Sequence, residues 1–329
     1  MQRADYKTWK RYGFGVGFDA LRCESDQEWA KFRAQGVGGS DVAAIMGISP
    51  WKTVLQLWLE KTGRANDPEP ENEAMYWGTV IEADVARRFG EEHPEFKVRN
   101  INATLVSTSA PWMHANLDRM VIMPDGSPAV LEIKTASAYK ADEWEDGIPP
   151  YYLTQVAWYL LVTGWHDAFV AVLIGGNRYR EYTFERDEED VRAVEGAAVD
   201  FWVNYVQADV MPQAVGADAG TLAQMYPPGL DDLVDAPDNA RADGLVEAYR
   251  QASVDEADAK ARKADAAAAL EQIAGQGKGL LTDLFRVTWT RGQTSRFDSK
   301  RFAAEHPDLA AQYMTTTTRN GGIRIKEMA

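Results

Sequence analysis

The sequence holds one cysteine, Cys23, among 329 residues. A lone thiol excludes an intramolecular disulfide framework and any cysteine-ligated zinc or iron–sulfur centre. Histidine is almost as scarce. His93, His114, His166 and His306 stand apart, with none of the spacings that hold a transition metal. Any metal used here is therefore expected on carboxylate oxygens, as magnesium or manganese would be. Long apolar runs are missing too, so no stretch reads as a membrane span. The opening residues, MQRADYKTWKRYGFGVG, are too polar for a signal peptide, and the expected location is cytoplasmic. Basic residues are in short supply, 35 Lys and Arg against 50 Asp and Glu, for a net charge of −15. That balance argues against a general nucleic-acid coat. It leaves room for a local basic groove, or for a site that meets a polyanion through metal ions.

What the chain does have is apolar and aromatic mass. Hydrophobic residues make up 45% and aromatics 11%, with 11 Trp, enough for a sizeable core. Ser25-Asp26-Gln27-Glu28 reads as a capping box opening a helix. A short helix is expected from about Asp41 to Met46, another between Pro50 and Gly63, and a fourth in MYWGTVIEADVARRFGEEHP. The period then changes to alternation, which predicts strands near 96–106, 116–123 and 128–135. PPYYLTQVAWYLLVTG is a mostly apolar helix, AFVAVLIGG and RYREYTFER form a strand pair, and DEEDVRAVEGAAVDFWVNYVQ is helical. The alternation predicts an α/β (α+β) fold, a mixed central sheet flanked by helices.

The expected organisation is an extension at 1–24, a core at 25–211, a linker at 212–238, an Ala- and charge-rich helical arm at 239–275, and a strand–helix–strand module at 280–329. Between 286 and 326 that module carries eight bases, Arg286, Arg291, Arg296, Lys300, Arg301, Arg319, Arg324 and Lys326, against Asp298, Glu305 and Asp308. It is a basic block on an acidic chain, and contact with DNA is its expected use.

The chemistry concentrates in LDRMVIMPDGSPAVLEIKTAS. Asp118 and Glu132 each lie seven residues from Asp125, at the tip of a Pro-Asp-Gly turn. A three-residue loop with Gly126 in the left-handed position would set Asp118 opposite Glu132. Lys134, two residues on, shares their face, whereas Leu131 and Ile133 turn toward the core. Two carboxylates at cross-strand distance repel unless a cation lies between them. Magnesium there could stabilise the attacking and leaving oxygens of a phosphodiester, with the lysine beside a water. Spacing alone leaves open a surface hairpin with an ordinary Glu–Lys pair. Two helical polar residues bear on the choice. Glu82 borders the apolar stripe of Val85, Ala86 and Phe89 and calls for a partner, a metal-bound water or a nearby lysine. Gln155 interrupts a helix that reads as buried. RAQGVGGSDVAAIMG, finally, is a glycine turn opening onto a helix, a favourable place for a phosphate, although Ser40 could simply cap the helix there.

Taken together, EWAKFRAQGVGGSDVAAIMGISPWKTVLQLWLEKTG, WGTVIEADVARRF, MHANLDRMV, LEIKTAS and YLTQVAWYLLVTG resemble, in order and spacing, the YqaJ-type viral recombinase branch of the phage lambda-type exonucleases, within the PD-(D/E)xK nucleases. The resemblance covers roughly residues 25 to 210. It implies a restriction-endonuclease-like core. It also implies a Mg²⁺- (or Mn²⁺-) dependent 5′→3′ exonuclease that digests one strand of linear double-stranded DNA for recombination, with two metal ions per site.

By the same resemblance, Asp118, Glu132 and the Ile133 backbone carbonyl hold metal, Glu82 completes the site through water, and Lys134 positions or activates the attacking water. Gln155 lies near the scissile phosphate, and Arg33, Ser40 and the backbone at Gly39 grip the 5′-phosphate. Such proteins form ring trimers and work beside a single-strand annealing protein. A structure- or sequence-specific endonuclease on the same fold, and a non-catalytic DNA-end-binding protein, are the alternatives.

Overall fold

The computed structural model describes residues 1–65, 72–226, 233–289, 295–315 and 323–326. They divide into two units, Met1–Leu222 and Ala223–Ala329. The first unit opens with β1 (Gln2–Arg3) and β2 (Phe18–Arg22). Four helices follow, α1 (Asp26–Ala34), α2 (Gly39–Ile45), α3 (Val54–Lys61) and α4 (Glu73–Glu92). Next come β3 (Lys97–Arg99), β4 (Thr104–Ser107), β5 (His114–Ala115), β6 (Arg119–Ile122) and β7 (Pro128–Ala136). A 3-10 turn and α5 (Pro150–Thr163) lead to β8 (Asp167–Ile174), β9 (Arg178–Glu185) and α6 (Glu188–Asp200). A π-helical segment, Phe201–Gln207, prolongs α6, and α7 (Ala219–Met225) follows.

The central sheet has the order β3-β6-β7-β8-β9. Its pairs are antiparallel except β7 with β8, which are parallel because α5 carries the chain back between them. The expected mixed sheet is present. On one face the stripe Val85, Ala86 and Phe89 of α4 packs on Val121, Leu131, Ile133, Phe169 and Ala171. Phe89 and Leu131 are fully buried, each burial contributing roughly 1.5–3 kcal/mol. The other face of β7 meets α5. The β6–β7 hairpin closes as the turn residues dictate. Met123 and Ser127 form the last pair, and Gly126 takes φ +88°, which a residue without Cβ adopts at little cost.

A second sheet, β1-β2-β4-β5, lies outside the expected plan. The stretch predicted as one strand over 96–106 is broken after Arg99, and its two halves enter different sheets. The first 24 residues are not a separate extension. β2 pairs antiparallel with β4, Phe18 opposite Ser107. The Trp165 indole donates to the Tyr12 carbonyl at 2.7 Å, and Phe18 is fully buried. At α1 the Ser25 hydroxyl accepts from the Glu28 amide as expected. The Glu28 carboxylate, however, reaches Glu24 N rather than Ser25 N.

In the second unit, α8 (Asn239–Ala274) runs 36 residues and buries no residue along its length. Then come an antiparallel hairpin of β10 (Gly279–Leu281) and β11 (Arg286–Thr288), and two short helices, α9 (Ser299–Glu305) and α10 (Pro307–Gln312). The strand expected near the end of the chain is not found in the described residues 323–326. Arg286, Arg296, Lys300, Arg301, Arg324 and Lys326 of the basic block are all exposed, whereas Arg291 and Arg319 lie outside the described residues. No helix among the described residues is long and apolar enough to cross a membrane.

Candidate active site

The hairpin register, Arg119 opposite Leu131 through Ile122 opposite Pro128, sets Asp118 across from Glu132. Strand alternation then turns Glu132 and Lys134 away from the α4 core and toward α5. Glu132 is only 2% exposed. Its Oε1 accepts from Lys134 Nζ at 2.5 Å and from Gln155 Nε2 at 2.7 Å, and its Oε2 is buried with no hydrogen-bond partner. Gln155 Oε1 in turn accepts from Lys134 Nζ at 3.1 Å, and the ammonium lies 4.7 Å from the centre of the Tyr152 ring. Asp118 Oδ2 accepts from the Ile133 amide at 2.7 Å. Ile133 thus meets this carboxylate through its N–H.

Burial pushes the Asp118 carboxyl well above the usual range, and repulsion from Glu132 adds to the shift. Burial also raises Glu132, against the pull of Lys134. For Lys134, burial alone would favour the neutral amine. The charges of Glu132 and Asp118 outweigh it and hold the ammonium charged. Two crowded carboxyls that resist ionisation, one with an orphaned buried oxygen, form a donor set suited to a hard divalent cation.

Glu82 is placed on the same cavity, but its partner is not the one expected. Arg119 Nη1 donates to Glu82 Oε1 at 2.5 Å and to the Asp118 carbonyl at 2.6 Å. A guanidinium thus meets the carboxylate that the sequence had pointed toward a metal-bound water or a lysine. Among the described residues no three His, Cys, Asp or Glu side chains come together as a metal-holding group. The set available is two facing carboxylates, with Glu82 on the same cavity and its Oε1 engaged by Arg119.

Arg33 and Ser40 come together directly, Arg33 Nη2 donating to Ser40 Oγ at 2.7 Å. Ser40 is the second residue of α2 and does not cap it; Gly38 occupies the N-cap. Beneath the pair, Asp41 accepts from the buried Lys61 ammonium at 2.7 Å and from the Gly38 amide at 3.0 Å. Burial opposes the Asp41 charge, yet Lys61 and Arg33 outweigh it and hold the carboxyl below its ordinary range. Gly39 is required for packing. A Cβ there would stand 2.5 Å from the Tyr159 ring and 3.1 Å from Gln155 Cγ. The missing side chain lets α2 approach α5, so the arginine–serine pair and the carboxylate–lysine group line one cavity of about 460 Å³.

Sequence reasoning missed four participants: Arg119, Lys61, Tyr152 and Tyr159. The two tyrosines lie in a stretch that reads simply as an apolar helix, and nothing in the sequence sets Lys61 apart. Arg119 had a legible signal, a basic residue beside the first carboxylate on a strand expected to be half-buried.

The cavity carries a carboxylate–lysine group at one side and an arginine–hydroxyl pair at the other, chemistry suited to an anionic, phosphate-like group. Residues 28–166 match the YqaJ-like viral recombinase domain. The Bacillus subtilis (strain 168) uncharacterized protein YqaJ is 34% identical over 295 residues, spanning 87% of this chain and 89% of its own length. The chain belongs to the YqaJ-like viral recombinase family. Among solved structures, an alkaline exonuclease (LHK-Exo) from Laribacter hongkongensis aligns at 19% identity over 61% of this chain and 100% of its own, with a TM-score of 0.47. A phage related exonuclease from Haemophilus somnus 129PT aligns at 12% identity over 53% and 95%, with a TM-score of 0.42.

Proposed function

We propose that this protein is a divalent-metal-dependent deoxyribonuclease with a restriction-endonuclease-like core, digesting one strand of linear double-stranded DNA from its 5′ end during recombination. The observation that carries this reading is the convergence of Asp118, Glu132, Lys134 and Gln155 on the cavity that also receives Arg33 and Ser40. The donor set fits Mg²⁺ or Mn²⁺ through Asp118, the orphaned oxygen of Glu132 and the Ile133 carbonyl, with Glu82 acting through water. When bound, such a cation supplies charge stabilisation at the attacking and leaving oxygens of a phosphodiester.

The chain's own groups do the rest. Lys134 commits two of its three N–H donors to Glu132 and Gln155. The third is left for a water or a phosphate oxygen, for which an ammonium held charged would serve as an oriented donor. Arg33 and Ser40 hold the terminal phosphate, so the next linkage is presented to the carboxylates. A single-strand annealing protein and a homo-oligomeric ring are the partners this reading implies, the ring placing bases and metals inside and acids outside.

Linear duplex with and without a 5′-phosphate, incubated in magnesium, provides the test. The wild type should shorten the phosphorylated duplex faster, and Lys134→Ala should leave it intact. Nicking of closed circular DNA would instead favour an endonuclease, and full activity of Glu132→Gln would favour a non-catalytic end-binding protein carrying a contaminant.

A further inference from the structure

We propose that Tyr159 is a positioning residue that acts on Lys134 through Gln155, an inference that rests on the nuclease reading above. Gln155 Nε2 donates to two acceptors, Glu132 Oε1 at 2.7 Å and Tyr159 Oη at 2.8 Å, while Gln155 Oε1 faces Lys134 Nζ at 3.1 Å. Only this orientation of the amide is complementary on all three sides. Turned over, its NH₂ would face an ammonium and its oxygen a carboxylate. Glu132 cannot guarantee the orientation alone, because its charge is the one a bound cation would engage. The phenol is buried and held neutral, by burial first and by Glu132 second, and its oxygen gives the Gln155 amide a second acceptor besides Glu132.

The ring is itself fixed. Tyr159 lies one helical turn beyond Gln155 on α5, is 4% exposed, and occupies the space that a side chain at Gly39 would need. Tyr159 therefore touches both the first turn of α2, which carries Ser40, and the amide that orients Lys134. It couples the placement of the terminal phosphate to the placement of the lysine without touching either.

Tyr159→Phe keeps the ring against Gly39 and removes the acceptor. With 5′-phosphorylated linear duplex and magnesium, kcat should fall about tenfold with KM within about twofold, the size expected for one oriented hydrogen bond. In a Gln155→Leu background the same change should alter kcat by less than about twofold, because the group it acts through is gone. A Tyr159→Phe enzyme with wild-type kcat, or the same loss in both backgrounds, overturns the proposal. A second readout is independent of catalysis. In ¹⁵N-labelled full chain, the Gln155 side-chain amide protons should exchange with solvent at least about tenfold faster in Tyr159→Phe than in the wild type. If the wild type leaves the duplex uncut, the nuclease reading fails and this exchange decides the positioning role, unchanged exchange overturning it.

Discussion

Asp118 and Ile133 are joined across the β6–β7 hairpin by a 2.7 Å hydrogen bond from the Ile133 amide to the Asp118 carboxylate. The bond exists because the register sets residue 118 opposite residue 132, so the next amide along β7 falls under the carboxylate. It anchors Asp118 just before the start of the short strand β6. Glu132, in mid-strand, is held instead by Lys134 and Gln155. Backbone thus positions one carboxylate and side chains the other.

Arg119 sets a positive charge against the acidic wall of the cavity. Its guanidinium bridges Glu82 and the Asp118 carbonyl and is 14% exposed. Replacing it in Arg119→Ala should tighten Mn²⁺ binding by about three- to tenfold, the scale of one partly screened charge. Isothermal titration of wild type and variant measures this, and weaker binding in the variant would show that Arg119 supports the site.

Gly36 and Gly39 mark two close backbone approaches, Gly39 on the cavity and Gly36 against His114, which lines it. A Cβ at Gly36 would meet the Trp112 carbonyl at 2.4 Å and the His114 ring at 2.5 Å; at Gly39 it would meet the Tyr159 ring at 2.5 Å. Neither glycine has a positive φ, so the cost of alanine is steric. Each substitution should destabilise by about 1–3 kcal/mol, Gly36→Ala more, since a backbone oxygen has less room to yield than a ring. Urea unfolding of the two variants checks the order. Gly39→Ala should also slow DNA digestion by displacing Gln155.

His114 makes stability depend on pH. Burial lowers its pKa from 6.5 to about 4, with the ring stacked on Phe32 at 4.3 Å and hydrogen-bonded to the Pro111 carbonyl at 3.0 Å. Below pH 6.5 the unfolded chain takes up a proton that the folded one refuses, so stability falls with pH until about pH 4. The full effect is about 3 kcal/mol. His114→Gln should remove this component, so the difference in unfolding free energy between wild type and variant should change between pH 7 and pH 4. Parallel curves would contradict it.

The legible parts of this chain were those whose determinants are local. A Pro-Asp-Gly loop with equal arms fixed the pairing of 118 with 132, and the turn geometry followed. The apolar spacing of Val85, Ala86 and Phe89 announced the buried face of α4. The strand over 96–106 misled because alternation does not reveal which sheet each half joins, and the residues after Arg99 carry no strong breaker. β2 was missed because FDALR is short and its partner β4 lies more than eighty residues away. In the site, Glu82 was rightly expected to need a partner. That the partner is Arg119 depends on how α4 crosses β6, which no local pattern encodes. Tyr159 was hidden because an aromatic in an apolar helix looks alike whether it fills the core or holds an amide.

Calorimetric titration of Mg²⁺ or Mn²⁺ into the full chain, beside Asp118→Asn and Glu132→Gln, tests most directly whether the paired carboxylates serve a cation. Saturable binding in the wild type, lost or weakened at least about tenfold in both variants, is the predicted result. Equal heats in all three proteins, or none in the wild type, would contradict the metal-dependent reading of this site.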